Sequence, residues 1–198
     1  PMIGYDRLGT NGRFGNQLFQ YAGLRGIAAH HGYDWCIPPD EHQTFANYGI
    51  HHPFKLTGLK EKNIGFVNRN VSPQSMSSLG ALAANNPGVK NVTESCYCFD
   101  ENLFNNFEDG TNLDGYLQTE KYFKHIEQEI RADFEFKDEV LEPCNEFIST
   151  FENILFLHVR RGDNVGREDY YRMMTFDYYK RALECFDETA YVLVCSDD

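Results

Sequence analysis

The run His158-Val159-Arg160-Arg161-Gly162-Asp163 carries the densest chemistry in this sequence. Two adjacent guanidinium groups each offer a planar fork of donors, which suits a pair of anionic oxygens. The pattern predicts a diphosphate site. Arg-Arg pairs also decorate solvated surfaces, and Arg-Gly-Asp triplets arise by chance, so the setting must decide. The run follows Asn153-Ile154-Leu155-Phe156-Leu157, whose apolar and β-branched residues read as a buried strand. The charges then fall just past the strand's carboxyl end, where open α/β sheets bind ligands.

The elements that would position this loop continue the pattern. Thr175 is a plausible N-cap, and Phe176, Tyr179, Leu183 and Phe186 share one helical face. Tyr191-Val192-Leu193-Val194-Cys195 reads as a second apolar strand. Strand, cationic loop, helix and strand together make a βαβ unit. The amino-terminal half repeats the theme. Met2 to Tyr5 suggests a short strand, and Gly9 and Gly12 a loop. Asn16 is expected to cap a helix running to about His30, with Leu18, Phe19, Ala22, Gly26 and Ile27 buried. Gly15, Gly23 and Gly26 allow close approach of backbone or ligand; a strand-to-helix turn without any ligand would look the same.

Tyr33 to Ile37 is a further strand, halted by Pro38-Pro39, and the order points to an α/β layer. Residues 40 to 90 are polar and show little period beyond a short helix around Ala81 to Ala84. Asn91 to Tyr97 reads as a strand. Gly115 to Phe123 reads as a strand entering a helix, with Tyr122, Phe123, Ile126 and Ile130 as a core stripe. Glu139 to Phe151 reads as another helix. A domain boundary is placed near residue 150, dividing the chain into 1–150 and 151–198.

Composition narrows the field. A hydrophobic content of 41% with 24% charged residues describes a globular chain. Net charge is 18 − 30 = −12, and no basic stripe favours a nucleic-acid partner. No apolar run is long enough to span a bilayer, and no signal peptide is visible. Adjacent histidines such as His51-His52 would point to opposite sides of a strand, so they read as surface residues. The six cysteines show no metal-ligand spacing; Cys96-Tyr97-Cys98 reads as strand alternation, and Cys36 and Cys195 as core thiols. A reducing, cytoplasmic setting is expected. The chain starts at Pro1-Met2 and stops directly after an apolar strand, as a fragment or trimmed product would.

Several stretches, in order, resemble the α-1,2-fucosyltransferases. Gly12-Arg13-Phe14-Gly15-Asn16-Gln17-Leu18-Phe19-Gln20-Tyr21-Ala22 resembles that family's amino-terminal motif. Gly115-Tyr116-Leu117-Gln118-Thr119-Glu120-Lys121-Tyr122-Phe123 is similar to its middle motif. His158 to Asp163 is similar to its signature, and Tyr191 to Asp198 resembles the later strand ending in Ser-Asp-Asp. The resemblance implies a GT-B fold: a Rossmann-like acceptor-side domain over 1–150, then the start of a second, GDP-fucose-binding Rossmann-like domain over 151–198.

The resemblance also implies inverting, metal-independent transfer of L-fucose from GDP-fucose to a galactose hydroxyl, with no cofactor. Leaving GDP gathers negative charge that arginines and backbone amides must stabilise. His158, Arg160, Arg161, Asp163, Ser196 and Asp197 are then the donor-binding residues. Asp163 would hold the loop through an arginine or backbone amides. Glu168, which matches the base of the α-1,6-fucosyltransferases, is the expected base, with Asp163 and His158 behind it. Gly15, Asn16 and Gln17 would face acceptor or fucose.

The chain departs from the family pattern in two ways. Asn11 stands in place of the first glycine, and Arg13-Phe14 looks more like the protein O-fucosyltransferases. The family also continues past Ser-Asp-Asp, so the resemblance covers its first two-thirds. Alternatives are a non-catalytic remnant that binds glycan or nucleotide weakly, or an α-1,6 or protein O-linked transferase.

Overall fold

The computed structural model describes residues 1–10, 12–40, 49–67, 89–188 and 190–197. The expected helix at Ala81 to Ala84, His42, Asn11 and Asp198 lie outside the described residues. The chain divides into two compact units, Pro1–Lys137 and Asp138–Asp198. The division precedes the helix Asp138–Ile148, instead of following it near residue 150.

The first unit is mixed α/β. Its strands are β1 (Met2–Gly4), β2 (Asp34–Cys36), β3 (Lys90–Thr93) and β4 (Thr111–Asp114). They form a parallel sheet in the order β2-β1-β4-β3, a Rossmann-like arrangement. α1 (Phe14–His31) joins β1 to β2, and α2 (Glu101–Asn105) lies between β3 and β4. The chain builds outward from β1 to β2, then resumes on the other side of β1. The reversal lies between β1 and β4, and such a switch point opens a crevice at the strands' carboxyl ends.

Helix α1 begins differently from expectation. Arg13, extended at φ −97°, holds the cap position, and its carbonyl accepts from the amides of Asn16 (2.9 Å) and Gln17 (3.3 Å). Asn16 therefore lies inside the first turn. The helix stops at Gly32, whose φ of +66° suits the left-handed cap residue; the Gly32 and Tyr33 amides return to Ala29 and Ala28.

The buried face of α1 differs in part. Ala22, Gly26 and Ile27 are buried as expected, joined by Gln17, Gln20, Tyr21, Leu24 and Ala28, whereas Phe19 is 38% exposed. Leu18 and Phe19 instead line an apolar groove with Phe123, Ile130 and Phe134. The apolar stripe misled because two glutamines find partners inside. Ile3, Tyr5, Leu24, Ile27, Trp35, Leu113, Leu117 and Tyr122 belong to the core that α1 closes over the sheet.

The middle of this unit corrects two expected strands. The strand before Gly115 is β4, and Gly115 itself begins a loop. Two short 3-10 turns, Glu120–Tyr122 and Lys124–Ile126, then lead into α3 (Glu127–Asp133). Likewise β3 ends at Thr93, and the chain bends over 95–98. That bend brings the Cα atoms of Cys96 and Cys98 to 5.2 Å, where they form a disulfide. Strand alternation is thus overturned. Disulfides persist in oxidising settings, so the expected cytoplasmic placement loses its argument from free thiols. Among the described residues, no helix is long and apolar enough to cross a membrane.

Asp133 ties α3 to α1. Its carboxylate is fully buried and accepts from Tyr21 Oη (2.7 Å), Thr57 Oγ1 (3.1 Å) and the Gly58 amide (2.6 Å), and it pairs with Arg25. Burial and the neighbouring Asp133 carboxylate both push the Tyr21 phenol up from its ordinary value.

The second unit holds α4 (Asp138–Ile148), β5 (Ile154–Val159), α5 (Phe176–Leu183) and β6 (Tyr191–Ser196). β5 and β6 pair in parallel, with Ile154 opposite Tyr191 and Val159 opposite Ser196. Thr175 caps α5 by accepting from the Tyr178 amide (3.4 Å). This is the expected βαβ unit. Its strands are not buried, however. None of the described residues in this unit is buried, and Phe156 and Val194 are each 57% exposed. Two strands and two helices supply too little surface to cover both faces of a sheet.

Candidate functional site

The cationic loop lies where β5 ends. Arg160 and Arg161 are exposed, and Gly162–Asn164 make one 3-10 turn. Because β6 runs beside β5 in register, Asp197 falls next to this loop. Its Oδ1 accepts from the Arg161 amide at 2.9 Å. A Cβ on Gly162 would stand 2.5 Å from Asp197 Oδ2, so glycine leaves room for the carboxylate. Arg160 Nη2 lies 3.7 Å from Asp163 Oδ1, with both side chains about half exposed. The fold thus brings together His158, Arg160, Arg161, Asp163, Ser196 and Asp197 at two adjacent carboxyl ends. Of the two pairings weighed for Asp163, its charge lies beside an arginine.

Glu168 lies beyond this turn and is exposed. Its Oε1 accepts from the Gly166 amide at 3.0 Å, and backbone hydrogen bonds hold its carboxyl below the usual range. A general base is most effective with a pKa near the working pH. In this arrangement Glu168 is a weak base.

The amino-terminal and middle motifs pack on each other inside the first unit. Tyr5 Oη donates to the Gly115 carbonyl (2.7 Å) and accepts from the Gly115 amide (3.0 Å). Gln20 Nε2 donates to the same carbonyl (3.2 Å), and Gln118 Nε2 donates to Asn16 Oδ1 (2.6 Å). A Cβ on Gly23 would meet Leu117 Cδ1 at 2.6 Å, and one on Gly26 would meet the Tyr122 carbonyl oxygen at 1.9 Å. Gly23 and Gly26 therefore serve backbone packing, whereas Gly15 is exposed with open space at its Cβ position. Gln17 is buried, and its Oε1 accepts from the Gly49 amide (3.2 Å). Of the three expected acceptor-side residues, Gly15 and Asn16 reach the surface and Gln17 lies behind them.

Sequence reasoning missed Glu94. Its Oε2 accepts from the amides of Tyr116 and Leu117 (both 3.0 Å), and its Oε1 from Tyr122 Oη (3.2 Å). Leu117 adopts φ +53° there, a left-handed conformation that is uncommon for a side chain of its size. A carboxylate collecting two successive amides is what holds that loop. A local signal was present only in Gly115, whose φ of +155° leaves space that a Cβ would take 2.6 Å from Glu94 Cβ. Among the described residues no group of three or more potential metal ligands converges.

No family model, no curated protein and no solved structure matches this chain.

Proposed function

We propose that this chain is an inverting fucosyltransferase of GT-B type, or the larger part of one, acting on GDP-fucose and a galactose hydroxyl in α-1,2 linkage. The observation that carries the reading is the meeting of Arg160-Arg161-Gly162-Asp163 with Asp197 at the ends of two paired parallel strands. In the reaction the acceptor oxygen attacks the fucose anomeric carbon while the bond to the diphosphate oxygen breaks. The hydroxyl proton passes to a base, and GDP leaves with the electron pair. Arg160 and Arg161 stabilise that leaving charge; Asp197 and Asp163 set the loop that bears them. Glu168 remains the candidate base, with Asp163 and His158 behind it. The Gly166 amide bound at its Oε1 lowers its basicity and leaves Oε2 to take the proton. The reading invokes no metal and no cofactor.

A second reading is a chain that binds glycan or nucleotide weakly without turnover. It is favoured by the second unit, in which none of the described residues is buried. Calorimetric titration of GDP without added metal separates the two. Arg160→Ala is expected to weaken GDP binding by about 1.5–3 kcal/mol, the range for hydrogen bonds to charged groups. Undiminished affinity in that variant, or absent binding by the folded wild-type chain, overturns the donor site.

A further inference from the structure

The bend after β3 presents an aromatic residue that the transferase reading does not use. Tyr97 sits between the bridged Cys96 and Cys98 and is 89% exposed. Leaving a large aromatic ring in water forgoes the free energy of its burial. The bridge ties the residues on either side of Tyr97 and so restricts where its ring can go. The ring lies 5.9 Å from that of Tyr116, tilted by 37°, and its outer face remains open. Together the two rings wall a cleft of about 260 Å³ at the carboxyl ends of β3 and β4, lined also by Thr93, Glu94 and Asp114.

We propose that this cleft is a binding subsite for one neutral sugar ring, with Tyr97 as its stacking platform. Its volume falls just under the ~300–1,000 Å³ of drug-sized ligand pockets, so it accommodates one ring and not an oligosaccharide. An aromatic face is negative and attracts the weakly positive C–H groups of a pyranose. The carboxylates of Glu94 and Asp114 repel phosphate and other anions, as does the chain's net charge of −12. Glu94 is spent on holding the Tyr116 wall through the amides of Tyr116 and Leu117. Thr93, on the same lining, offers a hydroxyl to the hydroxyls of a sugar. The choice of a galactoside as probe rests on the proposed function; the cleft itself does not.

The test titrates methyl β-D-galactoside into the oxidised 198-residue chain, observed by NMR, with GDP calorimetry run in parallel. The wild type is compared with Tyr97→Ala and with the double variant Cys96→Ser, Cys98→Ser. Trp35 fluorescence verifies the fold of each. The expected result is saturable shifts in the Tyr97 and Tyr116 ring signals. Affinity should fall at least tenfold in Tyr97→Ala and several-fold in the double variant, with GDP binding unchanged. Galactoside affinity untouched by Tyr97→Ala overturns the subsite, as does absent galactoside binding by the folded wild type. Loss of GDP binding in Tyr97→Ala overturns it too, because the cleft would then hold a nucleotide. Tyr97-dependent galactoside binding with no GDP binding supports the subsite while sinking the transferase reading, so the two fail separately.

Discussion

Substituting alanine for glycine at two positions of α1 should move stability in opposite directions. At Gly26 a Cβ would stand 1.9 Å from the Tyr122 carbonyl oxygen and 2.8 Å from Phe123 Cα. Ordinary contact begins near 3.4 Å, so the turn Glu120–Tyr122 must retreat by about 1.5 Å (3.4 − 1.9). Both atoms belong to backbone, and no rotamer change relieves the clash. Overpacking of this kind costs about 1–3 kcal/mol, here taken at the upper end. Alanine returns about 1 kcal/mol of helix propensity. Gly26→Ala should therefore destabilise the first unit by about 2 kcal/mol. At Gly15, in the same helix, the added methyl meets nothing within 4 Å, and Gly15→Ala should stabilise by up to about 1 kcal/mol. Urea unfolding followed by Trp35 fluorescence measures both. Trp35 is the chain's one tryptophan, and at 8% exposure it reports on the first unit's core. A Gly26→Ala midpoint at or above the wild type would refute the packing argument, as would shifts of the same sign in both variants.

Alkaline conditions should unfold the first unit. Burial raises the phenols of Tyr5, Tyr21 and Tyr122 above the ordinary value of 10.0. Above pH 10 the unfolded chain sheds protons that the fold retains. Stability is thus complete below pH 10 and falls above it, by about 1.4 kcal/mol per pH unit for each tyrosine. Phenolate absorbance and Trp35 fluorescence should change together; ionisation of all 12 tyrosines in a folded chain would contradict this. Asp133→Asn leaves Arg25, 13% exposed, without its counter-charge and should cost about 3–5 kcal/mol in denaturant unfolding; wild-type stability would show that the pair is dispensable. Asp197→Ala removes the acceptor of the Arg161 amide, a loss of about 1 kcal/mol or less at this exposed position. Hydrogen exchange at Arg161 should quicken and GDP affinity fall several-fold, and unchanged protection there would mean that Asp197 does not hold the loop.

The second unit's order of elements was legible because each signal was local. The apolar runs gave β5 and β6, and the Thr175 hydroxyl gave the start of α5. The expectation that these strands are buried failed because a run of apolar residues records a need for cover, not its presence. In the first unit the reasoning failed where distant residues decide. Gln17 and Gln20 look like the polar side of an amphipathic helix, yet their partners are Gly49 and Gly115. Asn16 looks like a cap, yet it accepts from Gln118. Glu94 looks like any strand-end acid, and its amide partners lie more than twenty positions on. The Cys96–Cys98 bridge was hidden for a different reason: spacing alone does not distinguish a strand from a bend. Within the donor loop, the arginines were legible from their position after a strand, whereas the contact of Asp197 with Arg161 required the register of β5 on β6.

The central place of β1 in its sheet has a consequence for synthesis. β1 pairs with β2 soon after, but its other neighbour is β4, and the hydrogen bonds between Tyr5 and Gly115 span 110 positions. The buried carboxylate that receives Tyr21 and Arg25 arrives later still, at Asp133. At roughly 5–20 residues per second, about 6–26 s separate translation of β1 from that of Asp133. Through that interval α1 has emerged with Tyr21, Leu24 and Ile27 but without the surfaces that bury them. Contacts this distant in the chain also slow the final closure. The nascent first unit therefore stays open to holdase chaperones until α3 has cleared the ribosome, and a stall between β2 and β4 would leave an apolar helix with nothing to cover it.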